Sequence, residues 1–220
     1  MPRYKLILEY DGTGLVGWQR QANGLSVQEI LEISVERLCG QRLVVHGAGR
    51  TDAGVHALRQ AAHIDLPKEW PSDVIRNALN QHVKPHAVSV IAVEPVADNF
   101  DARRSARGRF YRYRILNRRA PAAVARRHVW HVGPPLDTEA MQEGAQLLLG
   151  KHDFTTFRDS ECQAKSPVKT LDLLQVTRVG DEVLIEARAR SFLHHQVRNM
   201  VGSLKLVGLG KWRAQHMREA

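Results

Sequence analysis

The order of predicted strands and helices repeats in the two halves of the chain, and this repeat constrains the fold most. The first half is predicted to contain, in order, a strand over residues 4–10, a helix over 26–40, strands over 43–47 and 57–66, a helix over 72–83 and a strand over 88–96. The assignments rest on hydrophobic periods of two for strands and 3.6 for helices. Because two strands follow each other without a helix between them, an α+β unit of the split βαβ type is favoured over a doubly wound fold.

The second half repeats this order but lacks the last strand. Its predicted elements are a strand over 109–116, a helix over 137–150, strands over 170–179 and 182–191 joined by a tight turn, and a helix over 192–208. Between the halves, residues 95–108 are aperiodic and rich in arginine. We therefore predict two fused ferredoxin-like domains with antiparallel sheets, residues 1–104 and 105–220, with the active-site cleft where they meet.

The charge of the chain favours a polyanionic partner. Lysine and arginine total 32 residues against 23 aspartates and glutamates, which gives a formal net charge of +9 and an isoelectric point near 10.0. The two cysteines, Cys39 and Cys162, are far apart in sequence and predict neither a disulfide framework nor a zinc-thiolate site. No signal peptide or membrane-spanning run is recognised, so we expect a cytoplasmic protein with no membrane partner.

The stretch GAGRTDAGVHAL, residues 47–58, is the first candidate site. It is not a dinucleotide fingerprint, because Asp52 stands where the third glycine would be. It is not a P-loop either, because Val55 and His56 occupy the lysine and serine or threonine positions. Two interpretations remain: a glycine-rich turn that presents Asp52 for chemistry beside Arg50, or an ordinary turn whose aspartate bonds its own backbone.

Aromatic and basic residues alternate in SARGRFYRYRI, residues 105–115. As a strand, this stretch places Arg107, Arg109, Tyr111 and Tyr113 on one face. Arginines bind phosphates and aromatic rings stack on bases, so the pattern suits an RNA surface. The alternative is a strand whose aromatic rings pack in a core and whose arginines are solvated.

The last predicted helix carries a further basic residue. An apolar stripe leaves His194, Arg198 and Gly202 along another face, where Arg198 either points into the cleft or is simply solvated. His194 and the adjacent His195 would point about 100° apart on a helix, and no nearby ligand completes a zinc set. No metal site is predicted.

Several motifs together resemble the TruA-type tRNA pseudouridine synthases. The resemblance runs in order along the chain and is carried by YDGTGLVGWQRQ, SVQEILE, GRTDAGVHA, FDARRSARGRFYRYRI and FLHHQVRNMVGSL. It implies an enzyme that isomerises uridine to pseudouridine at positions 38, 39 and 40 of the tRNA anticodon stem-loop, without cofactor or metal. It also implies a homodimer that binds tRNA. The family normally continues to a final strand, which is the strand that the second half lacks here.

The resemblance assigns roles to individual residues. Asp52 matches the indispensable aspartate, which could attack C1′ of the ribose, stabilise positive charge there or accept a proton. Tyr111 matches a tyrosine that stacks on the target base, with Tyr113 as the alternative if the strand register shifts. Arg50 matches an arginine that helps to hold the nucleotide out of its stack. Arg198 matches a basic residue that pairs with the aspartate and keeps it ionised.

Two non-enzymatic functions also fit the composition. A non-catalytic RNA-binding module would explain the charge and the arginine and tyrosine strand, and a basic structural protein would explain the charge alone. The RNA-binding module requires tRNA affinity that falls steeply with added salt, whereas the structural protein does not.

Overall fold

A computed structural model describes residues 1–219, and the chain divides into two compact units, residues 1–106 and the residues from 107 onward. Each unit contains one β-sheet and at least two α-helices, so the predicted α+β class is confirmed. Within the described residues, none of the helices is long and apolar enough to cross a membrane.

The first unit contains a four-stranded antiparallel sheet and two helices. Its elements are β1 (Arg3–Tyr10), α1 (Val27–Cys39), β2 (His46–Gly47), β3 (Ala57–Asp65), α2 (Ser72–His82) and β4 (Val88–Val96). The strand order is β2-β3-β1-β4, and every neighbouring pair is antiparallel. Alternate residues of β1 are buried in the core, including Leu6 and Leu8. This is the period of two on which the prediction of the strand rested.

Capping fixes both ends of α1. The Ser26 hydroxyl accepts a hydrogen bond from the amide of Glu29, and Gly40 closes the helix with φ 74° while its amide donates to the Glu36 carbonyl. A side-chain cap at the start and a left-handed glycine at the end are the commonest helix boundaries. The predicted helix over 26–40 is therefore confirmed with its two end residues as caps.

The predicted strand over 43–47 is largely wrong, because only His46–Gly47 pair with β3. Side chains of α1 bond the main chain just before this point. The backbone amide of Val45 donates to the Glu32 carboxylate at 3.4 Å. The backbone carbonyl of Val45 accepts from the side-chain amide of Gln28 at 3.2 Å. These partners satisfy the backbone of Val45 without a neighbouring strand.

Residues 107–219 of the second unit contain a five-stranded mixed sheet and three helices. Its elements are β5 (Arg109–Leu116), β6 (Trp130–His131), α3 (Thr138–Gln146), β7 (Gly150–Asp153), a 3-10 turn (Thr155–Phe157), β8 (Val168–Val179), β9 (Glu182–Ala189), α4 (Gln196–Gly208) and α5 (His216–Glu219). The strand order is β6-β5-β9-β8-β7. β5 and β6 pair in parallel, and the other pairs are antiparallel. The prediction of a purely antiparallel sheet is therefore wrong for this unit.

Two helix predictions in the second unit are too long. The helix predicted over 137–150 ends at Gln146, and Gly150, with φ 92°, begins β7 instead. The helix predicted over 192–208 begins only at Gln196, because His195 adopts a left-handed conformation with φ 58°. His194 therefore lies before the helix and does not share a helical face with Arg198.

A buried histidine holds the segment that follows β4 in the first unit. His63 of β3 is 4% exposed, and its Nδ1 accepts a hydrogen bond from the amide of Ala102 at 3.1 Å. Its ring stacks on His46 and meets the edge of Phe100. Burial, followed by the charges of His46 and Arg3, lowers the pKa of His63 below its usual 6.5.

We predict that acid destabilises the first unit through His63. The pKa of His63 is lower in the folded than in the unfolded state. The contribution of neutral His63 to the free energy of unfolding is therefore complete above about pH 6.5 and is lost as the pH falls below that value. Protonation of Nδ1 would also remove the acceptor for Ala102. In urea unfolding at about pH 7.5 and 5.5, the loss of stability should be smaller in His63→Gln than in wild type. An equal loss in both proteins would contradict this role.

Candidate active site

The loop that carries Asp52 connects β2 to β3 and is held through its main chain. The amide of Trp18 donates to the Thr51 carbonyl at 3.0 Å, and the amide of Gly54 donates to the Leu15 carbonyl at 3.2 Å. The hydroxyls of Tyr10 and Thr51 are 2.9 Å apart and hydrogen-bonded. The segment after β1 therefore fixes the loop on both sides of Asp52.

Glycines make this close approach possible. A Cβ on Gly12 would overlap the carbonyl of Val55, and a Cβ on Gly17 would overlap the carbonyl of Thr51. Gly17 also has φ 104°, a conformation that other residues rarely adopt. In the loop itself, a Cβ on Gly47 would overlap the Trp18 ring. Because these three positions have no side chain, other parts of the same unit can pack directly against their backbone.

Asp52 is half-buried and begins a tight turn. Its carbonyl accepts a hydrogen bond from the amide of Val55 at 3.1 Å, and Gly54 within the turn has φ 76°. This turn is closed by a main-chain oxygen. The side chain of Arg50, two residues earlier, is exposed to solvent.

Asp11 and His56 form a second connection between the same two segments. His56 Nδ1 lies 2.8 Å from the Asp11 carboxylate and 3.0 Å from the amide of Gly12. The carboxylate also accepts from the amide of Thr13 at 2.9 Å. The neutral Nδ1 atom can accept from Gly12, whereas a protonated one donates to Asp11. Neither residue was predicted from the sequence as part of the site, although both lie within the quoted motifs.

Tyr111 and Tyr113 lie on the face of β5 that is packed with the helices of the second unit. Tyr113 pairs with Ile185 of β9 and meets the edge of Trp130 at a centroid distance of 6.1 Å, at the border of the core. Tyr111 is half-buried and meets the edge of Phe192 at 5.2 Å. The interpretation in which the aromatic rings of this strand pack in a core therefore fits Tyr113 better than Tyr111.

The opposite face of β5 carries arginines that are already paired. Arg112 bonds Glu186 of β9 at 2.7 and 2.9 Å, and Arg114 bonds both oxygens of Glu182 at 2.6 and 2.8 Å. The bond from Arg114 lowers the pKa of the Glu182 carboxyl. Arg112 lies directly opposite Glu186, and Arg114 lies diagonally across from Glu182. Both kinds of opposite-charge pair stabilise the sheet, so these two arginines contribute little to a phosphate-binding surface.

Arg198 lies in the first turn of α4 and is exposed. The backbone just before it is held by Asp159, whose carboxylate lies 2.7 Å from His195 Nδ1 and whose amide donates to the His194 carbonyl at 3.0 Å. The amide of Glu161, and then His195, lower the pKa of Asp159. Asp159 was not predicted, because in sequence it belongs only to a polar loop.

The predicted site residues are distributed over both units. Asp52 and Arg50 lie on one loop of the first unit, and Tyr111 and Arg198 lie in the second. A carboxylate on a rigid turn can act as a nucleophile or base. An aromatic ring and a guanidinium are groups that can hold a nucleotide.

Comparison with known proteins identifies the family. The family model described as tRNA pseudouridine synthase matches residues 6–103 and 145–220. Relatives named tRNA pseudouridine synthase A include one from Paramagnetospirillum magneticum, 64% identical over 99% of this chain and 85% of its own length. Others are from Rhodospirillum centenum, 61% identical over 100% of this chain and 90% of its own, and from Beijerinckia indica, 58% identical over 100% and 85%. The chain thus belongs to the tRNA pseudouridine synthases, which are isomerases.

Proposed function

We propose that this protein converts uridine to pseudouridine at positions 38, 39 and 40 of the anticodon stem-loop of tRNA. The proposal rests on the GRTDAGVHA loop, in which main-chain hydrogen bonds fix the position of a half-buried Asp52. The chain that carries this loop belongs to the tRNA pseudouridine synthase family. A rigidly positioned carboxylate meets the need of the reaction for one group beside the ribose.

The reaction is an isomerisation and needs no outside reagent. The bond between N1 of the base and C1′ of the ribose breaks, the base turns, and a bond forms between C5 and C1′. C5 then loses its hydrogen as a proton, and N1 carries a proton in the product. Asp52 attacks C1′, stabilises positive charge there, or accepts the C5 proton; all three roles remain compatible with a carboxylate at this position.

The other site residues are proposed to hold the nucleotide. Tyr111 stacks on the target base, which its half-buried ring beside Phe192 supports. Arg50 helps to keep the nucleotide out of the helix, as its exposure allows. Arg198 pairs with the catalytic carboxylate and favours its ionised form. The contacts of Asp159 with the residues before α4 support a fixed position for Arg198.

We further propose that both halves are ferredoxin-like domains, with boundaries near residues 104 and 105, whose residues act on one nucleotide. The strand orders support this. In the first unit, β2-β3-β1-β4 places the first strand beside the third. In the second unit, β8-β9-β5 does the same when the short strands β6 and β7 are left out. The net charge of +9 supports tRNA as the partner. By the family resemblance, the enzyme acts as a homodimer in the cytoplasm.

The position of modification can be tested with tRNA transcripts that carry a single uridine at 38, 39 or 40. We expect pseudouridine at each of these positions by carbodiimide mapping, and none in a transcript with cytidine at all three. Modification of the triple-cytidine transcript would contradict the proposed positions. Salt-dependent tRNA binding without any modification would instead favour the RNA-binding module.

A further inference from the structure

A basic pocket lies at the end of β5 that is distant from Tyr111. The cavity measures about 420 Å³ and is lined by Asn117, Arg118, Arg119, Gly133, Pro135 and Arg178. Tyr111 and Asn117 are six residues apart along β5 and its continuation, which corresponds to roughly 20 Å. A ligand in this pocket would therefore not be the nucleotide that stacks on Tyr111.

Asn117 organises the walls of this pocket. Its side-chain amide donates to the carbonyls of Val132 and Pro134 at 2.8 and 2.7 Å. Its side-chain oxygen accepts from the amide of Leu136 and from Arg178, both at 3.0 Å. Arg178 donates in addition to the Leu136 carbonyl at 2.8 Å. The guanidinium of Arg178 is thus positioned in advance of any ligand.

The charges around the pocket do not cancel. Arg118 pairs with Asp181 at 3.2 Å and donates to the Ala120 carbonyl at 3.1 Å. Arg119 is exposed, and no partner is found for it among the described residues. The stretch from 117 to 136 contains four arginines and no aspartate or glutamate. Arg119 and Arg178 therefore leave an excess of positive charge, which favours an anion.

We propose that this pocket binds a backbone phosphate of the tRNA at a distance from the modified uridine. Arginine presents several donors in a planar arrangement that matches phosphate oxygens. The contact would contribute to affinity and orientation, not to base recognition or to the chemical step. The identity of the RNA rests on the proposed function, whereas the anion site rests on the pocket.

The test compares Arg119→Glu with Arg76→Glu. Both variants change the net charge equally, and Arg76 is a half-buried residue of α2 whose guanidinium donates to the side chain of its neighbour Asn77. For Arg119→Glu we expect tRNA affinity to fall about tenfold and the slope of log affinity against log salt to decrease by about one phosphate contact. For Arg76→Glu we expect less than about a twofold change in affinity and an unchanged slope. In turnover, KM for tRNA should rise in Arg119→Glu while kcat is retained.

Binding and turnover separate the two proposals. If wild type binds tRNA without modifying it, the proposed function fails and the binding comparison still tests the pocket. If both variants bind like wild type, or weaken equally, the phosphate contact is refuted. Inorganic phosphate provides a second control, in which its effect on the melting temperature is compared between wild type and Arg119→Glu. The proposal is overturned if phosphate stabilises only wild type while the two proteins bind tRNA with equal affinity. In that case the pocket binds a free anion.

Discussion

Asp52→Asn is expected to reduce pseudouridine formation on the order of 10³-fold or more while leaving the fold and tRNA affinity nearly unchanged. The amide has almost the shape of the carboxylate but no negative charge, and it is a poor nucleophile and base. The turn should survive, because the amide of Val55 donates to the main-chain oxygen of residue 52 and Trp18 bonds the carbonyl of Thr51. Tritium release from tRNA labelled at C5 of uridine measures the reaction directly.

Asp73→Asn provides the matched control. Asp73 is an exposed acid in the first turn of α2, so the same chemical change there should leave turnover within about twofold of wild type. Tritium release by Asp52→Asn at the wild-type rate would refute a catalytic carboxylate. Lost turnover together with lost tRNA binding or a lowered melting temperature would show that the carboxylate has a structural role instead.

Gly17→Ala is expected to have the next largest effect, on both stability and turnover. The added Cβ would overlap the carbonyl of Thr51, next to Asp52, and the residue would also have to keep φ 104°. Overpacking and the strained conformation together should cost about 2–4 kcal/mol. Relief of the overlap displaces the loop, so kcat/KM should fall even at temperatures where the variant remains folded. Urea unfolding and tritium release measure the two effects.

Gly14→Ala separates overlap from backbone strain. Gly14 also has a positive φ, 77°, but a Cβ there would meet nothing within 4 Å. We expect a cost of about 1–2 kcal/mol and nearly normal turnover for this variant. If the two variants lose stability and activity equally, the contact of Gly17 with the Asp52 loop has no special importance.

The parts of the fold that depend on local signals were predictable from the sequence. α1 has its start and end encoded by Ser26 and Gly40, and β5 matches the alternating stretch 109–116 in full. β6 has two residues and β7 has four, which is too short for a hydrophobic period to be recognised. The late start of α4 depends on a left-handed His195 that contacts Asp159, 36 residues earlier. Such a tertiary contact leaves no trace in local sequence.

The residues of the candidate site stay a prediction from the sequence, and the contacts that support them were not predicted. The glycines of the loop 47–58 were interpreted as parts of a turn that presents Asp52, whereas the structure shows that Gly47 leaves room for the Trp18 ring of the same unit. The connection between Asp11 and His56 joins residues 45 positions apart and was not anticipated. The alternation in β5 placed Tyr111 and Tyr113 on one face, but only the contact with Trp130 shows that Tyr113 belongs to the border of the core.

The loop of Asp52 is anchored mainly by its peptide groups, and this has a consequence for redesign. Exposed positions such as Arg50 and Ala53 contribute little to that anchoring, so their side chains can be exchanged while the backbone beneath them keeps its course. Because Arg50 is proposed to hold the nucleotide, a library varied at Ala53 alone would change the exposed surface of the loop on an unaltered scaffold.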